Sequence, residues 1–533
     1  YDIYRGTSSG SLTMIDSLVG LPPDTSYTDN NLSNGQTYYY HLTARDLASN
    51  TSKVSNEVSA TPRGIIYVDV SNGSDASGSG ALAAPYSTIQ HAINQAVSGD
   101  TIYVKPGTYQ ETFDLGGKWI SLRSTEGKDV TFLSSNGSGT VITAETGEES
   151  NTEVVGFTIK DASTGISIGP DEEVTIRDCY ITDTNYPIEA YADNDINLFN
   201  ITLGLNGLQA VKMNGETIGY SNSPITRTWS INNLTVNPEG DLNVRSTNNT
   251  GTATLKVVGN AELAFNEGKN IIVGGDDYNK RGALSATGVT FTALDTSLGW
   301  DGIYFSDYSD DGSSLIDSCI IEYADDGIYC ASASPTITNS TIRSNTDGIS
   351  PNSGSQPTIT GNTFTGNERP VFIYADRIQS NIYGNTYSGN TKDYIEVQNA
   401  TLDENLTYVW SMDGAPYLIS SDLEVRRDNN SSQLSTLKID SGATVMFKSG
   451  VDLYIGHESN SNYKGALIAN GVTFTAYDST GWNGIRFRNY ADDSNCLIDS
   501  SIVEGAVDGI YCQSASPTIT NSTIRNNTDG IYA

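Results

Sequence analysis

Repetition at a step of about 22 residues restricts this chain's fold more than any other feature of its sequence. Residues 152–159 (TEVVGFTI), 174–181 (VTIRDCYI) and 196–203 (INLFNITL) align without gaps at a step of 22 residues. A second series, 315–321, 336–342, 358–364 and 381–387, advances by 21, 22 and 23 residues. Each unit carries an apolar residue, four polar or small ones, then a second apolar residue. Several then reach Asp-Gly-Ile, as at 326–328 and 347–349. No unit has the 3.6-residue periodicity of a helix, whereas short β-branched runs broken by Asn and Gly suit short strands. A coil of this length with three strands is one turn of a parallel β-solenoid, in which like residues stack coil upon coil. The expected internal ladders are Ile316, Ile337, Ile359 and Ile382; Ile321, Ile342, Phe364 and Tyr387; and Ile328 with Ile349. Asn and Gly beside them turn the chain, because both tolerate left-handed backbone angles.

A larger repeat lies over the small one. Residues 282–293 (GALSATGVTFTA) return at 465–476 with a shift of 183, and 326–343 return at 508–525 with a shift of 182. Roughly 228–350 is therefore copied as 409–532, and the second copy stops in mid-repeat. The chain opens on Tyr1, so the sequence is expected to be a segment of a longer protein on both sides.

Composition excludes some functions. Lys plus Arg number 29 and Asp plus Glu 63 among 533 residues, a net charge of −34. A nucleic-acid binder needs a basic face to displace counterions, and docking to an anionic membrane needs the same sign. No run of about 18 apolar residues occurs, so no membrane span is expected. The five cysteines match neither a disulfide framework nor a CxxC metal site, and are expected as buried small hydrophobes.

The regions ahead of the coils differ. Residues 1–62 carry expected strands at 1–6, 26–29, 36–46 and 55–62. Their pattern, YDIYRG, then YTDNNLSNGQTYYYHLTARD, then SNEVSATP, resembles the second half of a fibronectin type III module. That resemblance implies half of a β-sandwich and a spacer role. Further on, Ile89, Ala92, Ile93 and Ala96 share one helical face behind Ser87 or Thr88 as N-cap. A solenoid end exposes apolar side chains and strand edges, and a short amphipathic helix can cover them. With Ile66-Tyr-Val-Asp69, Gly99-Asp-Thr-Ile-Tyr-Val104 and Pro106-Gly-Thr-Tyr109, this arrangement resembles the N-terminal cap of right-handed parallel β-helix proteins of the pectate-lyase-like superfamily. The resemblance implies an all-β, right-handed parallel β-helix with a capping helix over residues 65–533. The expected organisation is 1–62, fibronectin-like; 63–110, cap; 111–227, first β-helix segment; 228–408 and 409–533, the two large copies. The superfamily includes lyases, hydrolases, tailspikes and adhesins, so it implies no single activity.

The motifs of its enzymes are present only in fragments. Asn345-Thr-Asp-Gly348 and Asn527-Thr-Asp-Gly530 match a polygalacturonase tetrapeptide, but no GHG or RIK accompanies them, and they recur in step with the coils as turns do. The RxPxxR motif of many pectate lyases and the DPHD motif of alginate epimerases are absent, and Arg369-Pro370…Arg377 has the wrong spacing. Paired acids at equivalent turns, Asp310-Asp311 and Asp492-Asp493, are the candidate calcium ligands, with Asp276-Asp277 and Asp325-Asp326 as further pairs, since calcium takes several carboxylate and carbonyl oxygens on a flexible loop. Four of the five tryptophans pair across the large repeat, Trp229 with Trp410 and Trp300 with Trp482. Trp300 and Trp482 are the candidate glycan contacts, with core packing as the alternative. The leading expectation is a non-catalytic stalk, adhesin or surface-assembly segment of a secreted microbial protein. It would meet a polysaccharide or cell-surface glycan, or associate with itself along the rod. A calcium-dependent polysaccharide lyase and a glycan-binding module are the alternatives.

Overall fold

The computed structural model describes residues 1–17, 26–33, 35–148, 151–219, 225–247, 251–379, 381–398, 401–427 and 433–533. They form two compact units, Tyr1–Lys212 and Met213–Ala533.

In the first unit, strands Asp2–Gly6, Thr13–Ser17, Tyr38–Thr43 and Val58–Ala60 make one antiparallel sheet, in the spatial order second, first, third, fourth. Residues 26–29, expected as a strand, form none. Asp29 instead accepts from Arg5 at 2.9 Å and from the Tyr40 hydroxyl at 2.9 Å, which pins the segment by its side chain. Among the described residues of 1–62 there is this single sheet and no facing second one.

The capping helix spans Ile89–Gln95. Thr88 Oγ1 accepts from His91 N at 3.3 Å, and the Glu111 carboxylate accepts from Ile89 N and Gln90 N at 2.9 and 3.1 Å, so the free first-turn donors are satisfied. At the other end Lys118 Nζ donates to Ile93 O and Ala96 O at 2.8 and 2.9 Å, a cation on the negative helix terminus. Ile89, Ala92, Ile93 and Ala96 are all buried beneath it. Parallel strands follow, and the gapless 22-residue alignment is also their register. Val154 pairs with Ile176 and Ile176 with Leu198, while Ile159 pairs with Ile181.

The second unit repeats a three-strand coil. One sheet stacks Ala253–Val258, Gly282–Thr287, Leu315–Asp317, Thr336–Thr338, Thr358–Thr360 and Ile382–Tyr383. A second stacks Glu262–Phe265, Thr290–Ala293, Ile320–Glu322, Thr341–Arg343, Thr363–Thr365 and Thr386–Tyr387. A third stacks Asn270–Val273, Trp300–Phe305, Ala324–Cys330, Asp347–Pro351 and Arg369–Tyr374. The ladders read from sequence are the observed pairs. Ile316, Ile337, Ile359 and Ile382 pair in turn, as do Ile321, Ile342, Phe364 and Tyr387, and Ile328 pairs with Ile349. Each such fully buried side chain contributes roughly 1.5–3 kcal/mol over leaving it in water. The five cysteines are free, four buried and Cys512 half-buried. Burial pushes the Cys179 and Cys319 thiols up to about 11, away from nucleophilic thiolate.

Turns are tied by polar ladders inside the stack. Asn345 Nδ2 donates to Asn367 Oδ1 at 3.0 Å, and Asn367 Nδ2 to Asn390 Oδ1 at 2.9 Å. A second ladder runs from Asn362 to Asn385 at 3.2 Å and ends on Asp413. Asp413 is 1% exposed and accepts from Asn385 and from the Tyr387 hydroxyl, the latter at 2.6 Å. Burial raises its carboxyl above the ordinary range, against the hydrogen bonds from Tyr387 and Asn385 that lower it. A raised native value means the folded state binds more protons, so this group's contribution falls as pH rises through the carboxylate range. Asp413→Asn is therefore expected to melt higher than the parent at pH 7–8, with the gap closing as pH falls toward 4. A lower melting temperature for the variant at neutral pH would refute this.

The two large copies do not line up face to face. Thr290–Ala293 lies in the second sheet, whereas its equivalent Thr473–Ala476 lies in the third, beyond Arg369–Tyr374, Ile395–Gln398, Tyr417–Ile419 and Thr444–Phe447. Among the described residues the equivalent strand comes 22 strands later. With three strands per coil, that is seven coils and one strand over. The second copy is thus turned by one face about the coil axis.

Candidate functional site

A groove of the second unit lies beside Trp300–Phe305 and Ala324–Cys330, with a volume of about 820 Å³. Its shape depends on one glycine. Trp300 pairs with Ala324 and Gly302 with Asp326, but Ile303 pairs with Ile328, so the register slips by one residue. Gly302 holds φ of 108°, and a Cβ there would lie 1.6 Å from Asp326 O. Only glycine fits that approach. The second copy repeats the device at Gly484, with φ of 135° and a Cβ 1.7 Å from Asp508 O.

The slip decides where the tryptophans point. Trp300, Ile303 and Phe305 all face inward although Trp300 and Ile303 are an odd number of residues apart. The Trp300 indole stacks on Phe265 with ring centroids 4.7 Å apart and donates from Nε1 to Glu322 O at 2.9 Å. Trp482 stacks on Phe447 at 4.0 Å and donates to Glu504 O at 3.0 Å. Their exposures are 2% and 0%. The expectation of a sugar platform at Trp300 and Trp482 is corrected: both rings are covered by core aromatics, and packing takes them.

The acidic turns are likewise used internally. Asp310 accepts from Ser313 N at 3.1 Å, and Asp311 from Ser334 N at 2.7 Å in the next coil. Asp492 accepts from Ser494 Oγ at 2.7 Å and lies 3.7 Å from Lys464 Nζ, while Asp493 accepts from Ser516 N at 2.8 Å. Among the described residues no three His, Cys, Asp or Glu side chains are grouped to hold a metal ion. Asp310, Asp311, Asp492 and Asp493, the candidate calcium ligands, thus each brace a turn through at least one carboxylate oxygen. The Asn345 tetrapeptide is structural as well: the Asn345 side chain accepts from Ala324 N at 2.9 Å, and Asp347-Gly348 open the strand Asp347–Pro351. Arg369 is held by Asp347 and Glu396, and Arg426 by Glu424.

Sequence reading singled out Asp325 only as half of an acidic pair, and missed that it meets other acids in the outer lining of the groove. Glu267, Asp301, Asp325 and Glu368 all border it. The register sets Asp301 beside Asp325 on adjacent strands, about 4.8 Å apart. Partial burial and the Asp325 and Asp241 charges push the Asp301 carboxyl up. Two carboxylates in unequal environments are the minimum for acid–base work on a glycosidic bond. The signal was available by comparing the copies. At the equivalent positions Asp301 becomes Asn483 and Asp325 becomes Val507, and the matching groove, of about 370 Å³, is bordered by Asp478 alone among acids.

Comparison with known proteins agrees on architecture. The family described as right handed beta helix region matches residues 271–410, and the fold is an all-β, right-handed parallel β-helix. Among curated proteins, the uncharacterized protein YwoF of Bacillus subtilis (strain 168) is 31% identical over 144 residues, covering 24% of this chain and 28% of that protein. The match thus spans little more than a quarter of that relative. Among solved structures, a Yersinia enterocolitica family 28 exopolygalacturonase aligns over 94% of this chain and 84% of its own, at 12% identity and a TM-score of 0.16. A GH136 lacto-N-biosidase from Eubacterium ramulus aligns over 88% and 68%, at 13% identity and a TM-score of 0.17. At those scores neither carries an argument about activity.

Proposed function

We propose that this chain is a non-catalytic spacer segment of an extracellular or cell-surface protein, a stiff stack of coils lengthened by duplication. The observation that carries this reading is what the two copies share. Both keep the buried indole stacked on Phe and hydrogen-bonded to a backbone carbonyl. Both keep an Asp bracing the next coil's turn, Asp317 to Asn339 and Asp499 to Asn521, each at 2.8 Å. Both keep an Arg–Glu bridge between rungs, Arg343 with Glu322 and Arg525 with Glu504. What differs is the solvent face, where Asp301, Asp325 and Tyr304 are replaced by Asn483, Val507 and Arg486. Interior bracing retained while surface chemistry drifts fits a chain whose task is length.

Excising residues 292–474 joins Phe291 to Thr475 and restores the repeat in phase. The shortened chain is expected to fold with an unchanged melting temperature. Its largest dimension by small-angle scattering should fall by about 35 Å, seven coils at the interstrand spacing. An unchanged dimension, or loss of cooperative folding, would overturn the reading.

A second reading rests on Asp301 and Asp325, a carboxylate pair that only the first copy has. It makes that groove a carbohydrate-active site for neutral or amino sugars, since four acids would repel a polyanion. Reducing ends released from such glycans, and lost on Asp301→Asn, would establish it. No release by the parent chain would remove it.

A further inference from the structure

In the first unit, Ala144 pairs with Ile168 and Ser167 with Glu189, so Glu148, Glu172 and Asn194 stand at one place in three successive turns. Each ties its turn to the coil before it. Glu148 accepts from Gly117 N at 2.9 Å, and Glu172 accepts from Gly147 N at 2.8 Å and from Glu148 N at 2.5 Å. Asn194 Nδ2 donates to Gly169 O at 2.7 Å. Glu148 and Glu172 are each 5% exposed, and one rung, about 4.8 Å, separates them. Two carboxyl groups are thus buried side by side.

The surrounding charges do not balance them. On these turns and on the loop before them stand Asp114, Glu145, Asp171, Glu173, Asp193 and Asp195, with Lys118 as the one cation among the described residues. Lys118 Nζ is turned to the carbonyls of Ile93 and Ala96. The capping helix, joined to this loop by Gln90 and Asp114, adds His91, whose ring packs edge-on against Tyr86. Protons are also too few. Thr146 Oγ1 lies 2.9 Å from Glu148 Oε1 and 3.1 Å from Asp114 Oδ1, and its single hydrogen can serve only one of them. A proton on a carboxyl removes that deficit. Burial raises the Glu172 carboxyl above the ordinary range, as do its hydrogen bond to Glu148 and that group's charge, against the two N–H groups that lower it.

We infer that Glu148 and Glu172 share one proton and act as a pH-sensitive clasp on the first turns of the solenoid. With the proton in place, the two side chains bond to each other and hold residues 145–148 and 169–173 together. Without it, two ionised carboxylates one rung apart repel each other where little water reaches them. The pair titrates as a unit, and the folded state binds more protons than the unfolded chain. The stabilisation is therefore present at acid pH and is lost as pH rises through the range of the pair. The effect extends to the cap, because Glu148 holds Gly117, and the next two residues are Lys118, on the helix terminus, and Trp119. This inference is independent of the spacer reading: the clasp lies in the first unit, and the excision above leaves it intact.

Trp119 gives an optical readout, since it is half-exposed while Trp229, Trp300, Trp410 and Trp482 are 0–2% exposed. The full chain would be followed by its fluorescence and by hydrogen exchange from pH 5 to pH 8, with exchange rates corrected for their intrinsic pH dependence. Amides of 145–148 and 169–173 are expected to exchange at least fivefold faster at pH 8 than at pH 5, and the fluorescence to titrate with them. Glu172→Gln keeps an N–H donor toward Glu148 at every pH, so it should hold the acid-form protection at pH 8 and flatten both curves. Glu148→Gln should do the same from the other side. Trp119→Phe should remove the fluorescence change and leave the exchange profile as in the parent. Asp413→Asn, which alters a buried carboxyl of the other unit, should leave both curves unchanged. Flat protection of these turns in the parent would overturn the proposal. So would a pH-dependent loss that persists in both Gln variants, which would assign the titration to another group. Loss of protection at pH 5 in both variants would also overturn it, since ionised carboxylates would then be what holds the turns.

Discussion

Replacing Trp482 by Ala is expected to cost about 3–5 kcal/mol. The side chain is 0% exposed, its ring lies nearly parallel to Phe447 at an interplanar angle of 7°, and its Nε1 satisfies Glu504 O. Truncation removes the stack, opens a cavity and leaves a carbonyl without its donor. Coils contact mainly their neighbours, so the loss should appear as local opening rather than global unfolding. Hydrogen exchange is the suitable measurement. Amides from 484 to 525 should lose most of their protection, while those of strands between 253 and 374 should keep theirs. Trp482→Phe retains the stack and loses only the hydrogen bond, a cost of about 1–2 kcal/mol. Parental protection of 484–525 in Trp482→Ala would show that the indole is not the tie between these coils.

The second large effect concerns a polar residue. Asn367 is 0% exposed, and its side chain makes four hydrogen bonds. Nδ2 donates to Ile342 O and to Asn390 Oδ1, each at 2.9 Å. Oδ1 accepts from Asn345 N at 3.1 Å and from Asn345 Nδ2 at 3.0 Å. Asn367→Ala leaves a backbone N–H, a backbone carbonyl and two side-chain amides short of partners inside the stack. At about 1–3 kcal/mol for each buried group left unsatisfied, the expected loss is on the order of 3–5 kcal/mol. Asn367→Asp should do worse at neutral pH, because its carboxylate faces Ile342 O and Asn390 Oδ1 with no proton to offer. Acidification that protonates it should restore part of the stability. Chemical denaturation at pH 7 and at pH 4 separates these cases. An alanine variant within 1 kcal/mol of the parent would mean that water fills the ladder.

Much of the interior was legible before any coordinates. A repeat near 22 residues forces like residues onto the same rung, so the isoleucine ladders followed from counting alone. A cap at Ser87 or Thr88 was legible because a short helix on a solenoid end needs a first-turn acceptor and an apolar face, and the structure chose Thr88. The direction of Trp300 and Trp482 was not legible. Alternation along a strand puts residues three apart on opposite faces, and the slip at Gly302 reverses that parity. The partners of Asp310, Asp311, Asp492 and Asp493 were not legible for a related reason. Sequence places acids at a turn, but only the stacking of the next coil brings the N–H groups of Ser334 and Ser516 within reach of two of them.

The sequence by itself determined the coil, its period, the residues of each inner wall and the fact of duplication, because all of these are matters of spacing along the chain. The tertiary structure decided what spacing does not contain. The irregular stretch between the copies leaves one strand over after seven coils and turns the second copy onto another face. Registers also bring residues far apart in the chain together outside the stack, pairing Asp301 with Asp325 in one groove and setting Glu153 between Arg123 and Arg177 in the first unit. Those meetings depend on strand count and register, and no local preference of the chain encodes either.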